Sequence, residues 1–356
     1  MDHGKNIKVL VTGASGYVAT HCVKQLLEQT YSVRGTVRSL KNEKKIKPIR
    51  DIANQSTLLE LVEADLEQPT GWDEVVEGCD YVLHVASPFP LEDDKSVIET
   101  AVNGTLNVLR ACANSSSVKK VVLTSSCAAV NEGHEDEDRV FDENDWTITT
   151  SNKVQSYAIS KTEAELAAWD FVKKNNKNQF KLTVMNPTFV VGPVLMDTAG
   201  SSITTIKKFL NNEVPAIPPL EMGMVDVRDV AQGHILAMQK PETDGQRILI
   251  TSQPSTTFGQ MVKYIHKEFR SQGYRTPCLP APYILVWLWS FIDKEAAASL
   301  PRLNRKVQFD NSKSRKLLGL EYRNIETAIV EMCYSLIERG IVGKRSGYRP
   351  QSCDNK

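Results

Sequence analysis

Six short apolar runs, Lys8–Thr12, Val33–Val37, Leu58–Glu63, Tyr81–Ala86, Lys120–Thr124 and Leu182–Asn186, alternate with stretches of helical spacing. This alternation constrains the fold more than any other feature of the chain. In the first helical stretch, Tyr17 to Gln29, the residues Val18, Cys22, Leu26 and Gln29 recur three or four apart with Val23 and Leu27 beside them, which predicts an amphipathic helix. Near-continuous Val/Leu strands between helices imply parallel strands covered on both faces, so the expected fold class is α/β, a doubly wound parallel sheet of the Rossmann type. Ligands of such sheets bind beyond the C-terminal strand ends.

After Pro193 the pattern breaks. Pro215, Pro218, Pro219, Pro277, Pro280, Pro282 and Pro301 punctuate it, while Val225–Gln239 reads as a helix and Arg247–Thr251 as one more strand. With 356 residues, the chain divides into a dinucleotide-binding domain over 1–190, rejoined by 225–252, and a smaller irregular substrate lobe over 191–224 and 253–345, with a tail at 346–356.

Lys plus Arg and Asp plus Glu both total 43, so no bulk field exists to hold a polyanion, and nucleic acid is excluded as a partner. Seven cysteines (Cys22, Cys79, Cys112, Cys127, Cys278, Cys333, Cys353) are scattered and never spaced as CxxC, which points to a reduced, cytoplasmic chain without structural zinc. The N-terminal residues have no apolar stretch of signal-peptide length. The longest apolar run, Tyr283 to Ile292, is too short to cross a bilayer core of about 30 Å as a helix. It reads as a buried helix or pocket wall, with Trp287 and Trp289 leaving a membrane-touching surface as the alternative. The charged runs Lys41–Arg50 and Glu132–Arg139 read by themselves as solvated faces. The six histidines form no metal-binding spacing, so no metal is expected; His84, within a strand, reads as a core or supporting residue, and Cys127 as a small buried one.

Directly after the first strand comes TGASGYVA, residues 12–19, opening the first helix. Glycines at Gly13 and Gly16 permit a tight turn and bring backbone N–H groups and a helix N-terminus onto a pyrophosphate. The spacing is GxxGxxA, with Ala19 small enough to allow close helix packing. The second strand ends in Arg38 and offers no carboxylate for a ribose 2′-OH, so the sequence favours NADPH over NADH, with Lys44 and Lys45 as further phosphate contacts. Asp65, at the end of the third strand, is placed to accept from an adenine amino group or to cap a helix.

Tyr157 has a lysine four residues later, Lys161, within an expected helix Lys153–Lys174, and this spacing stacks both on one face. Ser125 and Ser126 follow the fifth strand at the edge where the glycine turn also lies. Reduction of a carbonyl builds negative charge on oxygen and calls for a proton donor. A phenol with a pKa near 10 needs a nearby cation to serve, which Lys161 would supply, while Ser126 would hydrogen-bond the same oxygen.

TGASGYVA, LTSS (123–126), YAISK (157–161), NPTFVVGP (186–193) and VDVRDVA (225–231) together resemble the extended short-chain dehydrogenase/reductase family. Within it they look most like the group of dihydroflavonol 4-reductases, cinnamoyl-CoA reductases and the yeast methylglyoxal (ketone) reductase. The resemblance implies Ser126, Tyr157 and Lys161 as catalytic, with Lys161 also holding the nicotinamide ribose. It implies Gly13, Ser15, Gly16, Tyr17 and Val18 on the pyrophosphate, Arg38 and Lys45 on the 2′-phosphate, and Asp65 with Leu66 around adenine. Ala86 and Ser87 would lie along the cofactor, Pro187 against its carboxamide with Ser202 nearby, and Ser87 and Asn131 would touch substrate; Asn103 matches a structural position. Cinnamoyl-CoA reductases carry an Asn-Trp-Tyr-Cys-Tyr-like signature before the tyrosine, whereas this chain has Asn152-Lys153-Val154-Gln155-Ser156, which disfavours CoA esters. The acidic run after Asn131 is likewise unlike dihydroflavonol reductases.

The expected function is therefore NADPH-dependent reduction of a small-molecule ketone or aldehyde, with the proton from Tyr157. A 3β-hydroxysteroid dehydrogenase, a nucleotide-sugar epimerase and a non-catalytic NADP-binding sensor are the alternatives. Arg38 counts against the epimerase and the intact Ser/Tyr/Lys set against the sensor. The sequence sets no oligomeric state.

Overall fold

The computed structural model describes residues 7–88, 95–134, 139–175, 180–292 and 294–351. Seven strands form one parallel sheet: β1 (Lys8–Val11), β2 (Ser32–Val37), β3 (Leu59–Glu63), β4 (Tyr81–His84), β5 (Lys120–Thr124), β6 (Lys181–Pro187) and β7 (Arg247–Ile250). Their order is β7-β6-β5-β4-β1-β2-β3, the doubly wound arrangement expected, with the crossover point between β1 and β4. Register aligns Val9 with Val33 of β2 and with Tyr81 of β4, and Leu123 with Val184.

Alternation along each strand splits the core into two layers. Val9, Val11, Leu83, Val122, Met185 and Ile248 face α1 (Tyr17–Glu28) and, further on, the helix Val227–Gln239. Leu10, Val82, Val121, Leu123 and Val184 face the opposite way, onto the helices Ser96–Asn114 and Ser156–Lys174. In chain order the helices after α1 are α2 (Glu43–Ile52), α3 (Trp72–Val76), α4 (Ser96–Asn114), α5 (Ser156–Lys174), α6 (Ser201–Leu210), α7 (Val227–Gln239) and α8 (Phe258–Phe269). They are followed by α9 (Tyr283–Trp289), α10 (Lys294–Ser299), α11 (Ser312–Leu318) and α12 (Ile325–Glu338).

A third apolar cluster joins α6, α8 and α12 through Ile206, Phe209, Met261, Ile265, Ile329, Met332 and Leu336. The short parallel pair Phe189–Val191 and Met224–Asp226 sits at its base. Here the structure trims two expected helices. Met224–Asp226 is extended and α7 begins at Val227, because Asp226 caps it, accepting from the Arg228 N–H at 2.7 Å. α5 begins at Ser156, since Gln155 is extended.

One of the readings of the longest apolar run, a buried helix, is overturned. The apolar run Tyr283–Ile292 is not buried: within α9 only Val286 is, while Tyr283, Ile284, Leu285, Trp287, Leu288 and Trp289 are 40–55% exposed, and Phe291 and Ile292 are 70% and 75% exposed. Val286 packs into the α6/α8/α12 cluster, while the other side chains of the helix are half-exposed. No helix among the described residues is long and apolar enough to cross a membrane.

Candidate active site

The glycine turn is built by contacts with β2 and β4. Gly13 N–H donates to Thr36 Oγ1 at 2.8 Å and Ala14 N–H to the Thr36 carbonyl at 2.8 Å, while the Ala86 N–H donates to Thr12 Oγ1 at 2.9 Å. Gly13 has φ +65°, and a Cβ there would meet Ala86 Cβ at 2.9 Å, so a side chain is excluded twice over. Gly16 caps α1 with no side-chain hydrogen bond, which leaves N–H groups of the first turn without intrahelical acceptors. A cradle this tight, ending in such donors, fits a pyrophosphate.

The other residues expected around a dinucleotide come from several strand ends and from two helices, α2 and α6. Ser15 is half-buried in the turn, and exposed Arg38 follows directly on β2. Lys45, on α2, donates to the Asp197 carbonyl at 2.7 Å and so ties that helix to the segment before α6. Asp65 caps no helix; its Oδ1 accepts from the Glu67 N–H at 3.1 Å in a local turn. The Leu66 carbonyl accepts from Asn107 on α4, and Gly104 of α4 lies so close under Leu66 that a Cβ would approach its Cβ to 3.0 Å. Ala86 and Ser87 follow β4, Pro187 ends β6 opposite Ile250, and buried Ser202 lies in the first turn of α6. Tyr17 departs from expectation in its side chain. The hydroxyl donates to the Gly192 carbonyl at 2.6 Å and the ring packs in the α6/α8/α12 cluster, leaving its backbone as the part that faces the turn. Val18 is half-buried against the same cluster.

Ser126, Tyr157 and Lys161 come together at the C-terminal edge of β5. Ser126 and Tyr157 share a side-chain hydrogen bond, the Ser126 Oγ accepts from the Ala128 N–H at 3.1 Å, and Lys161 Nζ lies 5.9 Å from the Tyr157 ring centroid. Burial pushes the Tyr157 phenol up to about 12, opposed by the Ser126 hydrogen bond and by the charge of Arg302. Burial brings Lys161 down to about 8, opposed by the Glu165 carboxylate. Arg302, from the stretch after α10, is a second cation near the site: its charge acts against the rise of the phenol, while Lys161 stands beside the ring.

Arg302 pairs with Glu132 at 2.8 Å, and neighbouring Arg305 donates to the His134 carbonyl. Glu132 and Arg139, the ends of the acidic run, are thus structural partners, Arg139 pairing with Asp145; residues 135–138 lie outside the described residues. The Asn131 amide oxygen is buried without a hydrogen-bond partner among the described residues. Cys127 beside Ser126 is half-buried rather than buried as expected, and burial of its thiol pushes it up to about 12. His84 is buried with Nδ1 bonded to Thr12 Oγ1 at 2.9 Å, and burial, with the nearby Lys161 charge, holds it down at about 3. Among the described residues no group of three His, Cys, Asp or Glu side chains could hold a metal.

Sequence reasoning missed Arg302, Glu165 and Arg247. Glu165 alone carried a signal, since it continues the four-residue spacing of Tyr157 and Lys161 along α5.

Residues 9–250 match the NAD dependent epimerase/dehydratase family. The chain is 35% identical over 340 residues to cinnamoyl-CoA reductase CAD2 of Medicago truncatula, covering 93% of this chain and 96% of that one. It is 36% identical over 270 residues to the bifunctional dihydroflavonol 4-reductase/flavanone 4-reductase of Malus domestica, covering 73% and 76%. Among solved structures, yeast methylglyoxal/isovaleraldehyde reductase Gre2 complexed with NADPH superposes with a TM-score of 0.78 at 29% identity, covering 93% of this chain and 98% of that one.

Proposed function

The chain belongs to the NAD dependent epimerase/dehydratase family, and from that footing we propose that it is an NADPH-dependent oxidoreductase that reduces a ketone or aldehyde to an alcohol. The observation that carries this reading is the hydrogen bond between Ser126 and Tyr157 beside Lys161, on the same strand edge as the Gly13–Ala86 cradle. When bound, NADPH supplies hydride to the carbonyl carbon.

The chain's own residues do the rest. The first turn of α1 and Gly13 would hold the pyrophosphate, Arg38 with Lys45 the 2′-phosphate, and Asp65 and Leu66 the adenine. Ala86, Ser87, Pro187 and Ser202 would flank the nicotinamide half, and Lys161 its ribose. Ser126 and Tyr157 would both donate to the substrate oxygen, and Tyr157 would release its proton to it as charge builds. A phenol raised to about 12 is protonated at neutral pH but a weaker acid than a free one, so its proton would leave only as charge builds on the substrate oxygen. Asn131 and Ser87 would orient the substrate.

In this reading 1–190 with 225–252 bind the dinucleotide, and 191–224 with 253–345 cover the substrate. None of the six described cysteines is in a disulfide, and a reducing cytoplasmic setting is part of this reading. The deciding experiment follows oxidation of NADPH, with NADH in parallel, against ketones, aldehydes, steroids and flavanonols. NADPH-dependent turnover is expected, lost by roughly 10²- to 10⁴-fold in Tyr157→Phe with NADPH binding kept. A Tyr157→Phe chain as fast as the parent removes the proton-donor role.

A further inference from the structure

Glu165 lies one helical turn beyond Lys161 and two beyond Tyr157, on the same face of α5. Its side chain is fully buried. Oε2 accepts from Ser125 Oγ at 2.6 Å and from Asn186 Nδ2 at 2.8 Å, and Oε1 accepts from Arg247 Nε. The partners continue the web. Asn186 Nδ2 also donates to the Ser126 carbonyl at 3.2 Å, and Arg247 Nη2 to the Ala129 carbonyl at 3.0 Å. The Arg247 guanidinium lies over Trp146, 3.5 Å from its ring centroid. One carboxylate therefore joins β5, β6, β7 and α5 around the main chain on both sides of Ser126.

A buried ion pair is a poor device for stability, since apolar side chains of the same volume commonly do as well or better. Placement gives a better reason. Glu165 and Lys161 line one cavity together with Ser125, Thr124 and Thr105. The carboxylate acts on the lysine through space, because its oxygens are already engaged by Ser125, Asn186 and Arg247.

We propose that Glu165 is a positioning residue of the reductase site, fixing the Ser126 main chain and keeping Lys161 cationic, while Arg247 holds the carboxylate back from closing onto the lysine. The inference rests on the reductase reading above. Burial drives Lys161 toward its neutral form, and Glu165 is the group that opposes this. Of the other titratable groups near Lys161, Tyr157 on the same helix is raised by burial and His84 from β4 is held neutral, while the charged Arg247 is engaged by Glu165 and Arg302 acts on Tyr157. Thr105, from α4, is uncharged.

The test compares the parent with Glu165→Gln, Glu165→Gln/Arg247→Gln and Arg247→Lys. Two quantities are read against pH: NADPH affinity by fluorescence titration, and kcat and KM for a carbonyl compound that the parent reduces. The double variant leaves no buried charge unpaired within the web, and the amide oxygen introduced by Glu165→Gln can still accept from Ser125 and Asn186. Its alkaline limb, in binding and in kcat, should move down by about one pH unit, with KM changed less than kcat, whereas Arg247→Lys should keep the parental limb. A folded double variant with an unmoved limb overturns the proposal. So does loss of the parental circular dichroism spectrum in both charge-removing chains, which would make the web scaffold only. If the parent binds NADPH but reduces nothing, the reductase reading fails, and the binding limb still decides the role of Glu165.

Discussion

Arg302 and Glu132 form an ion pair at 2.8 Å, and through it a residue of the C-terminal third is held within the electrostatic reach of the Tyr157 phenol. Removing that charge lets the phenol rise further, which matters only where Tyr157 must act as a base. In Arg302→Gln, alcohol oxidation at pH 9 should fall on the order of threefold to tenfold while carbonyl reduction at pH 7 changes by less than about twofold. Paired initial rates in the two directions check this, and an equal fall in both contradicts it. With Arg302 37% exposed, the pair should contribute no more than about 1 kcal/mol to stability.

Arg38 is exposed at the end of β2, and the neighbouring Glu63 carboxylate at the end of β3 is engaged by the Leu40 N–H at 2.7 Å. Charge-assisted hydrogen bonds of this kind are worth about 1.5–3 kcal/mol. Arg38→Ala should therefore lower the NADPH-to-NADH ratio of kcat/KM by roughly 10- to 100-fold, chiefly by weakening NADPH. An unchanged ratio would assign the discrimination to other residues.

Lys161 is cationic in both folded and unfolded chains below its folded value of about 8, so at neutral pH its burial opposes folding. Between about 8 and its ordinary 10.5 the unfolded chain binds the proton that the folded one has released, and stability rises with pH across that window. Lys161→Met should consequently be inactive yet more stable than the parent at pH 7, by on the order of 3 kcal/mol, and the two should converge above pH 10.5. Urea unfolding of the cofactor-free chains at pH 7 and 10.5 measures it.

Three buried histidines give the acid side its slope. Burial lowers His21 and His234 to about 4 and His84 to about 3, from 6.5. Below pH 6.5 the unfolded chain takes up protons that the folded chain refuses, so stability falls as pH drops toward 4. Replacing His234, which bonds Thr124 Oγ1 at 2.7 Å and the Val230 carbonyl at 2.8 Å, with Gln should flatten that slope while costing about 1–3 kcal/mol at pH 7. Urea midpoints of both chains from pH 4 to 8 check it.

The strands were legible because each central parallel strand is covered on both faces, so β5 reads Val121, Val122, Leu123 without interruption. The turn at Gly13 and the Tyr157–Lys161 spacing were legible because both are local. Arg302 and Arg247 were not, since they reach Tyr157 and Glu165 across long stretches of chain that only the fold brings together. The stretch after Pro282 misled for the opposite reason: its Trp and Leu content suggests an interior, but exposure depends on what packs against a helix, and within α9 only Val286 is buried.

Tyr17 is the first residue of α1, with its backbone at the glycine turn and its hydroxyl on Gly192, inside the packing of α6, α8 and α12. The two halves of the molecule thus share a rivet placed where the nucleotide would grip. Heating should dissolve them in a single transition instead of two, and a dinucleotide that tightens the turn should raise the melting temperature of the distant helical cluster by the same amount as that of the sheet.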